Sequence, residues 1–491
     1  MTNAPSVGPD KVSKRSTSPW KALGWATYLR KLERLAHTLI RMHWAGPQDM
    51  WKWQTDLLTL QRDVQRAITQ TKAALRTDAS RREELDQLRI VLRLTRRLGD
   101  AMAWLILGLD RKAIHALGYG PPVPVSPEER HGDLGMQAIA AHLSSEGWGF
   151  PILHDVTDCL RVGDITFVKA GDDRSRGFRT VEVKTRVLSQ QEVNGGDEQS
   201  ISLSVTVISA EPPDTALGDN RPSLESEDIP VAPQSQAARR RPDRREERQF
   251  RRMANALTRR SAEDDTVVTI PGEGPVISSR FTSDAKSHWK DLRRVIRAAR
   301  RDGYASVVAD GAIMYVVLYS PTGITEELIR NERMQQDLLA SGLVSTPDDR
   351  GWDSIVVNQV PDMRGGRDRR YLPFYLFEVP WNVVSDLLMN RLCIIALVNP
   401  GQVMRTLEAD GFDVRASTRL DLSRDSFSLF SQAEGPDGND YQLELGGLSY
   451  CIAETVHEFK SVEYVVEHAR EMLRVARKVT LPRFVTDNAA G

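Results

Sequence analysis

Asp164, Glu182 and Lys184 are the residues of this 491-residue chain whose types and spacing best suit chemistry. They fall in GDITFVKAGDDRSRGFRTVEVKTR, from Gly163 to Arg186. Asp164 opens one strand-like run; Glu182 and Lys184 lie two residues apart on the next. Side chains alternate across a strand, so Glu182 and Lys184 share a face. Pairing the two runs as a hairpin brings Asp164 within reach of both. Two carboxylates and an ammonium on one sheet surface suit a hard divalent cation and a water. Magnesium takes oxygen ligands and keeps several waters, so one or two carboxylates suffice. Such an ion acidifies a bound water and neutralises charge on a phosphoryl oxygen. A lysine beside it orients the water or stabilises the transition state with a compact, tunable charge. The chemistry so assembled is phosphodiester hydrolysis. The bland alternative is a turn acid followed by a solvent-facing Glu–Lys pair.

Other elements must hold these groups in place. Ile165, Phe167, Val181 and Val183 flank the acids with apolar side chains. Upstream, HGDLGMQAIAAHLSSEGWGFPIL, from His131 to Leu153, reads as a helix, a glycine-containing turn after Glu146, then a strand. Downstream, ISLSVTVI from Ile201 to Ile208 alternates with period two and extends the hairpin. A helix over His288–Gly303 puts Leu292, Val295, Ile296 and Ala299 on one face and arginines, including Arg293 and Arg294, on the other. Two short strand candidates follow it, Ala305–Ala309 and Ala312–Tyr319.

Asp164 followed by Glu182-Val183-Lys184 resembles the PD-(D/E)xK nuclease superfamily, the restriction-endonuclease-like fold, over about residues 126–319. The resemblance implies an α/β core built on a mixed central sheet. It implies that Asp164 and Glu182 hold Mg²⁺ or Mn²⁺ together with the carbonyl of Val183, and that Lys184 assists the attacking water. Related enzymes often carry a glutamate on the preceding helix; that place falls here at Met136 or Gln137. Gln137 suits contact with a metal-bound water, whereas Glu128, Glu129 and Glu146 do not fit the position. His131 and His154 flank the helix and strand and read as structural by default. The resemblance points to a metal-dependent nuclease acting on DNA, with bacterial restriction or anti-phage defence as the biological analogy. RNA is a further substrate class. The alternative is a catalytically inactive protein of the same fold that serves as a nucleic-acid-binding or assembly subunit.

Composition bounds the remainder. A hydrophobic share of 40% and a charged share of 27% are ordinary for a soluble protein of several domains. Cys159, Cys393 and Cys451 lie far apart and form no CxxC pair, so neither a zinc site nor a disulfide framework is expected. No apolar run reaches membrane-spanning length, the polar N-terminus is no secretory signal, and a cytoplasmic location is expected. Net charge is −1, but it is unevenly spread. Residues 190–237 are acidic and rich in Pro, Ser and Gly, whereas Ala238–Arg260, which includes Arg239, Arg240 and Arg241, is strongly basic. A DNA-contacting arm and a solvated insertion of balancing charges are equally open readings of this stretch. The segment MRGGRDRRYLPFY, with Arg367 and Arg370, reads as a nucleic-acid contact or as an exposed loop.

The expected division is a disordered tail over 1–18, a helical bundle over 19–120, a nuclease-like core over 126–319 with an insertion at about 190–262, and an α+β region over 320–491. Periodic stretches Tyr28–His43, Asp49–Leu75 and Arg81–Leu109 mark the bundle. Its tryptophans are expected to pack between helices, with a partner-binding or dimerising bundle as the alternative. Strand-like runs Leu372–Val379, Leu392–Val398, Phe427–Phe430 and Tyr441–Leu445 precede a final helix over Ser461–Lys478. No GxSxG, Walker A or HExxH pattern occurs, and His457-Glu458 lacks a second zinc histidine. Without an ATP motor in the chain, ATP-driven movement on DNA would come from a partner protein.

Overall fold

The computed structural model describes residues 24–41, 47–118, 124–128, 131–168, 178–192, 199–210, 225–229, 251–256, 258–259, 266–270, 274–278, 283, 285–329, 332–344, 355–360, 371–416, 427–434, 440–446 and 448–489. Helices come first: α1 Trp25–Arg41, α2 Pro47–Ala74, α3 Arg82–Ile106 and α4 Arg111–Leu117. In α3, Leu85, Leu88, Val91, Leu94 and Leu98 are buried, a helical stripe turned to the core. Asp110 caps α4 by accepting the Ala113 N–H at 3.0 Å. Trp25, Trp53 and Trp104 are buried, as packing between helices requires, and the Trp53 Nε1–H donates to the Leu35 carbonyl at 3.0 Å.

After α5, His131–Ser145, the chain turns at Gly147 (φ 80°) and Gly149 (φ 105°) into a five-stranded sheet. Its strands are β1 Phe150–Leu153, β2 Ile165–Val168, β3 Phe178–Glu192, β4 Gln199–Ala210 and β5 Glu225–Ile229, in that spatial order. α5 packs chiefly on β3. A separate hairpin pairs β6 Thr266–Ile270 with β7 Gly274–Ser278. A second sheet, in the order β10-β11-β9-β8, contains β8 Tyr304–Ala309, β9 Ile313–Tyr319, β10 Val356–Val360 and β11 Leu392–Val398. A third sheet joins β12 Asp413–Ala416, β13 Phe427–Glu434 and β14 Asp440–Leu445.

The chain is thus α/β with helices at its N-terminal end and several antiparallel sheets. The expected mixed sheet is not found among the described residues, where all strand pairs are antiparallel. The reason is connectivity. β1 to β5 follow one another as neighbours, and a parallel neighbour would need a long crossover. The strands after Trp289–Asp302 also do not join this sheet. β9 pairs with β11 of the last third, Ile394 opposite Val317. Leu372–Val379, expected as a strand, holds the 3-10 turn Phe374–Leu376 instead. Pro373 and Pro380 flank that turn and offer no N–H to a ladder, while Phe374 and Tyr375 are buried there.

The helix Trp289–Asp302 buries Leu292, Val295, Ile296 and Ala299, as its period requires, and ends on Gly303 at φ 78°. One contiguous hydrophobic core runs from Trp25 to Ala469 and includes the inner faces of the first two sheets. Buried polar ties cross it. Gln54 of α2 clasps the backbone of β1, donating to the Pro151 carbonyl and accepting the Leu153 N–H, both at 2.8 Å. Asp100 of α3 accepts the N–H groups of Asp158 and Cys159 at 2.6 and 2.7 Å. Cys159, Cys393 and Cys451 are buried thiols. Among the described residues, no helix is long and apolar enough to cross a membrane.

Candidate metal centre

The hairpin of β2 and β3 carries the candidate site. Ile165 pairs with Val181 and Thr166 with Thr180. Asp164 therefore precedes one member of the first pair while Glu182 follows the other, which sets the two acids on one face beside Thr166 and Thr180. The opposite face is apolar, with Ile165, Phe167 and Val181 fully buried. Thr166, Thr180 and Glu182 are buried as well, so both faces of the hairpin are covered here. Asp164 is half-buried.

Asp164 reaches across the strand gap. Its Oδ2 accepts the Val183 N–H at 2.7 Å, and its own N–H donates to the Val181 carbonyl at 2.8 Å. An extended residue sends its N–H and C=O to the same strand edge. The Val183 carbonyl therefore lies on the Asp164 side of β3, away from β4. Two carboxylates and this carbonyl form a set of hard oxygen donors, which fits Mg²⁺ or Mn²⁺. Lys184 pairs with Thr206 in the β3–β4 ladder and shares the backbone face of Glu182; its side chain lies outside the described residues.

Gly163 and His154 fix the backbone of Asp164. Gly163 adopts φ 79°, and a Cβ there would meet Thr180 Cγ2 at 2.5 Å and the Val181 carbonyl oxygen at 2.9 Å. Only glycine accommodates both conditions. His154, which follows β1, donates from Nδ1–H to the Gly163 carbonyl at 3.0 Å, and its backbone N–H donates to the Asp164 carbonyl at 3.0 Å. Burial pushes the His154 pKa down to about 3, so the ring is neutral near pH 7. A carbonyl only accepts, so Nδ1 bears the proton. Nε2 then accepts the Thr166 hydroxyl at 2.8 Å, and Thr166 in turn accepts from Thr180 at 2.9 Å. His154 is structural, as its default reading holds, but it braces both peptide groups that flank Asp164.

On α5, Gln137 is half-buried and Met136 buried. The buried acid of that helix is Asp133, one turn earlier, whose carboxylate meets Arg62 of α2 at 2.5 Å. Among the described residues, no three His, Cys, Asp or Glu side chains gather as a metal cluster. Arg293 and Arg294 are exposed on Trp289–Asp302, where Arg293 Nε donates to the Trp289 carbonyl and Arg294 meets Asp291 at 3.3 Å. Arg239, Arg240, Arg241, Arg367 and Arg370 lie outside the described residues.

Compared with family models, with curated proteins and with solved structures, the chain matches none.

Proposed function

We propose that the chain is a Mg²⁺- or Mn²⁺-dependent nuclease that hydrolyses phosphodiester bonds in DNA. The observation that carries this reading is the approach of the Asp164 carboxylate to the Val183 N–H, at 2.7 Å, beside Glu182. It puts the Asp164 carboxylate at the strand edge that carries the Val183 carbonyl, and the register sets Glu182 on the face of Asp164, which supports the PD-(D/E)xK reading. Asp164, Glu182 and the Val183 carbonyl would hold the ion. When bound, the ion supplies an acidified water and positive charge for a phosphoryl oxygen. Lys184 orients the attacking water and offsets charge in the transition state. Gly163 and His154 hold the Asp164 backbone, and Thr166 and Thr180 lock the His154 ring. Gln137 is assigned to the outer water of the ion. A role in restriction or anti-phage defence, with an ATP-driven partner protein or in a homo-oligomer, extends this reading by analogy.

A second reading keeps the hairpin and drops the chemistry: an inactive nuclease-like subunit that binds nucleic acid or assembles with partners. The deep burial of Glu182, 3% exposed, favours it, because a closed sheet surface excludes a large substrate. Cleavage separates the two. Supercoiled plasmid, linear DNA and RNA are incubated with the protein and Mg²⁺, Mn²⁺ or EDTA. The nuclease reading expects metal-dependent cleavage that falls at least about 100-fold in Lys184→Ala at unchanged melting temperature. Nucleic-acid binding without cleavage, with the partner proteins of its operon present, selects the second reading.

A further inference from the structure

The final helix, Glu463–Ala489, and the sheet of β12 and β13 enclose a cleft of about 720 Å³ that shares no lining residue with the hairpin site. Arg470, Arg474 and Arg477 line one wall. They recur at i, i+4 and i+7, so one helix face presents all three. Arg415 and Phe430 line the other wall, with the Arg415 guanidinium 4.0 Å from the Phe430 ring centroid. Phe412 and Leu473 add apolar lining.

The guanidiniums are oriented in advance. Arg470 donates from Nε and Nη2 to Asp410, and Arg474 does the same to Glu471 at 2.8 and 2.7 Å. Arg415 grips Asp413 through the same two nitrogens at 3.4 and 2.8 Å. Each grip uses one edge of a planar group that carries five N–H donors, and it fixes the direction of the plane. Arg477 instead donates to the Ser431 hydroxyl at 2.6 Å, a neutral partner. Arg415, Arg470 and Arg474 keep half or more of their side-chain surface in water. Ion pairs that exposed are weak, so an incoming phosphate joins or replaces the carboxylate at little cost.

The lining holds four guanidiniums and one carboxylate, Asp413. A row of guanidiniums opposite an aromatic face matches the alternation of phosphate and base in an unpaired strand. A duplex hides its base faces and cannot use Phe430. We propose that this cleft binds a single-stranded segment of nucleic acid, with phosphates on Arg470, Arg474 and Arg477 and one base on the Phe430–Arg415 stack. The proposal goes beyond the nuclease reading and needs no cleavage.

The test is fluorescence anisotropy on the full chain in EDTA. Labelled oligo-dT and oligo-rU of about 15 nucleotides and a duplex of the same length serve as probes. Wild type is expected to bind a single strand more tightly than the duplex; the DNA and RNA arms show which sugar it prefers. Replacing Arg470, Arg474 and Arg477 together by Gln is expected to weaken binding at least tenfold and to reduce the slope of log affinity against log salt by about 2. Phe430→Leu is expected to weaken binding about tenfold and leave that slope unchanged. If the triple variant melts early, Arg477→Gln alone is expected to reduce the slope by about 0.7. No binding by wild type, wild-type binding by a folded variant, or equal competition by polyglutamate overturns the proposal. Asp164→Asn is expected to bind as wild type does. Loss of cleavage with this binding intact bears on the hairpin alone.

Discussion

Gly163 and His154 hold the backbone of Asp164. Gly163→Ala must move the Thr180 methyl and the Val181 carbonyl and must strain a left-handed φ of 79°. An expected loss of about 1–3 kcal/mol in urea unfolding follows, together with loss of cleavage. His154 yields a pH prediction. Its folded pKa of about 3 lies below the ordinary value of 6.5, so the unfolded chain takes up a proton that the folded chain refuses. Its contribution is whole above about pH 6.5 and declines as pH falls toward 3. Urea titrations from pH 7 to 4 are expected to show wild type losing stability with a slope that His154→Gln lacks. The hairpin that carries Asp164, Glu182 and Lys184 was legible in the sequence, as was the shared backbone face of Glu182 and Lys184. Gly163 was not singled out, because a glycine before an acid looks like any turn until its φ is known. Asp133 was missed because the resemblance directed attention to Met136 and Gln137.

At the scale of elements, Gln54 closes the open edge of β1 with a side-chain amide. Gln54→Ala leaves a buried N–H and a buried C=O without this donor and acceptor, and a loss of about 2–4 kcal/mol is expected in chemical denaturation. Asp310 joins three elements. Its Oδ2 accepts from His288 Nε2 at 2.9 Å and from the Val462 N–H at 2.8 Å, and the His288 contact holds its carboxyl below the ordinary carboxylate pKa. Asp310→Asn tolerates the residue's φ of 52° but removes the charged acceptor, so about 1 kcal/mol of stability is expected to go. Wild type loses the same contribution as pH falls below about 4, which the variant does not. The helices and β11 were readable from periodicity and from an unbroken apolar run. The pairing of β9 with β11 was not, because it joins residues far apart in sequence.

At the scale of the whole molecule, charged contacts join α4 to the helix Leu448–Glu458. Arg111 of α4 donates to both oxygens of Glu458 at 2.8 and 2.7 Å and lies 3.2 Å from Glu454. Lys460 meets the same two carboxylates. Arg111→Met is expected to cost about 3 kcal/mol, since two buried acids would lose a cation they share and keep Lys460 with the neutral donors Tyr464 O–H and Leu372 N–H. A calorimetric scan checks this and is expected to show a single transition for wild type, because one core runs from Trp25 to Ala469. Sequence gave no sign of this continuity, since proline-rich loops such as GYGPPVPVSP look like boundaries whether or not cores merge behind them. The central claim remains the hairpin's ion, and electron paramagnetic resonance titration of the full chain with Mn²⁺ tests it most directly. The expected result is saturable Mn²⁺ binding by wild type that vanishes in Asp164→Asn and in Glu182→Gln while both variants stay folded. Equal binding by wild type and both variants, or none by wild type, would contradict it.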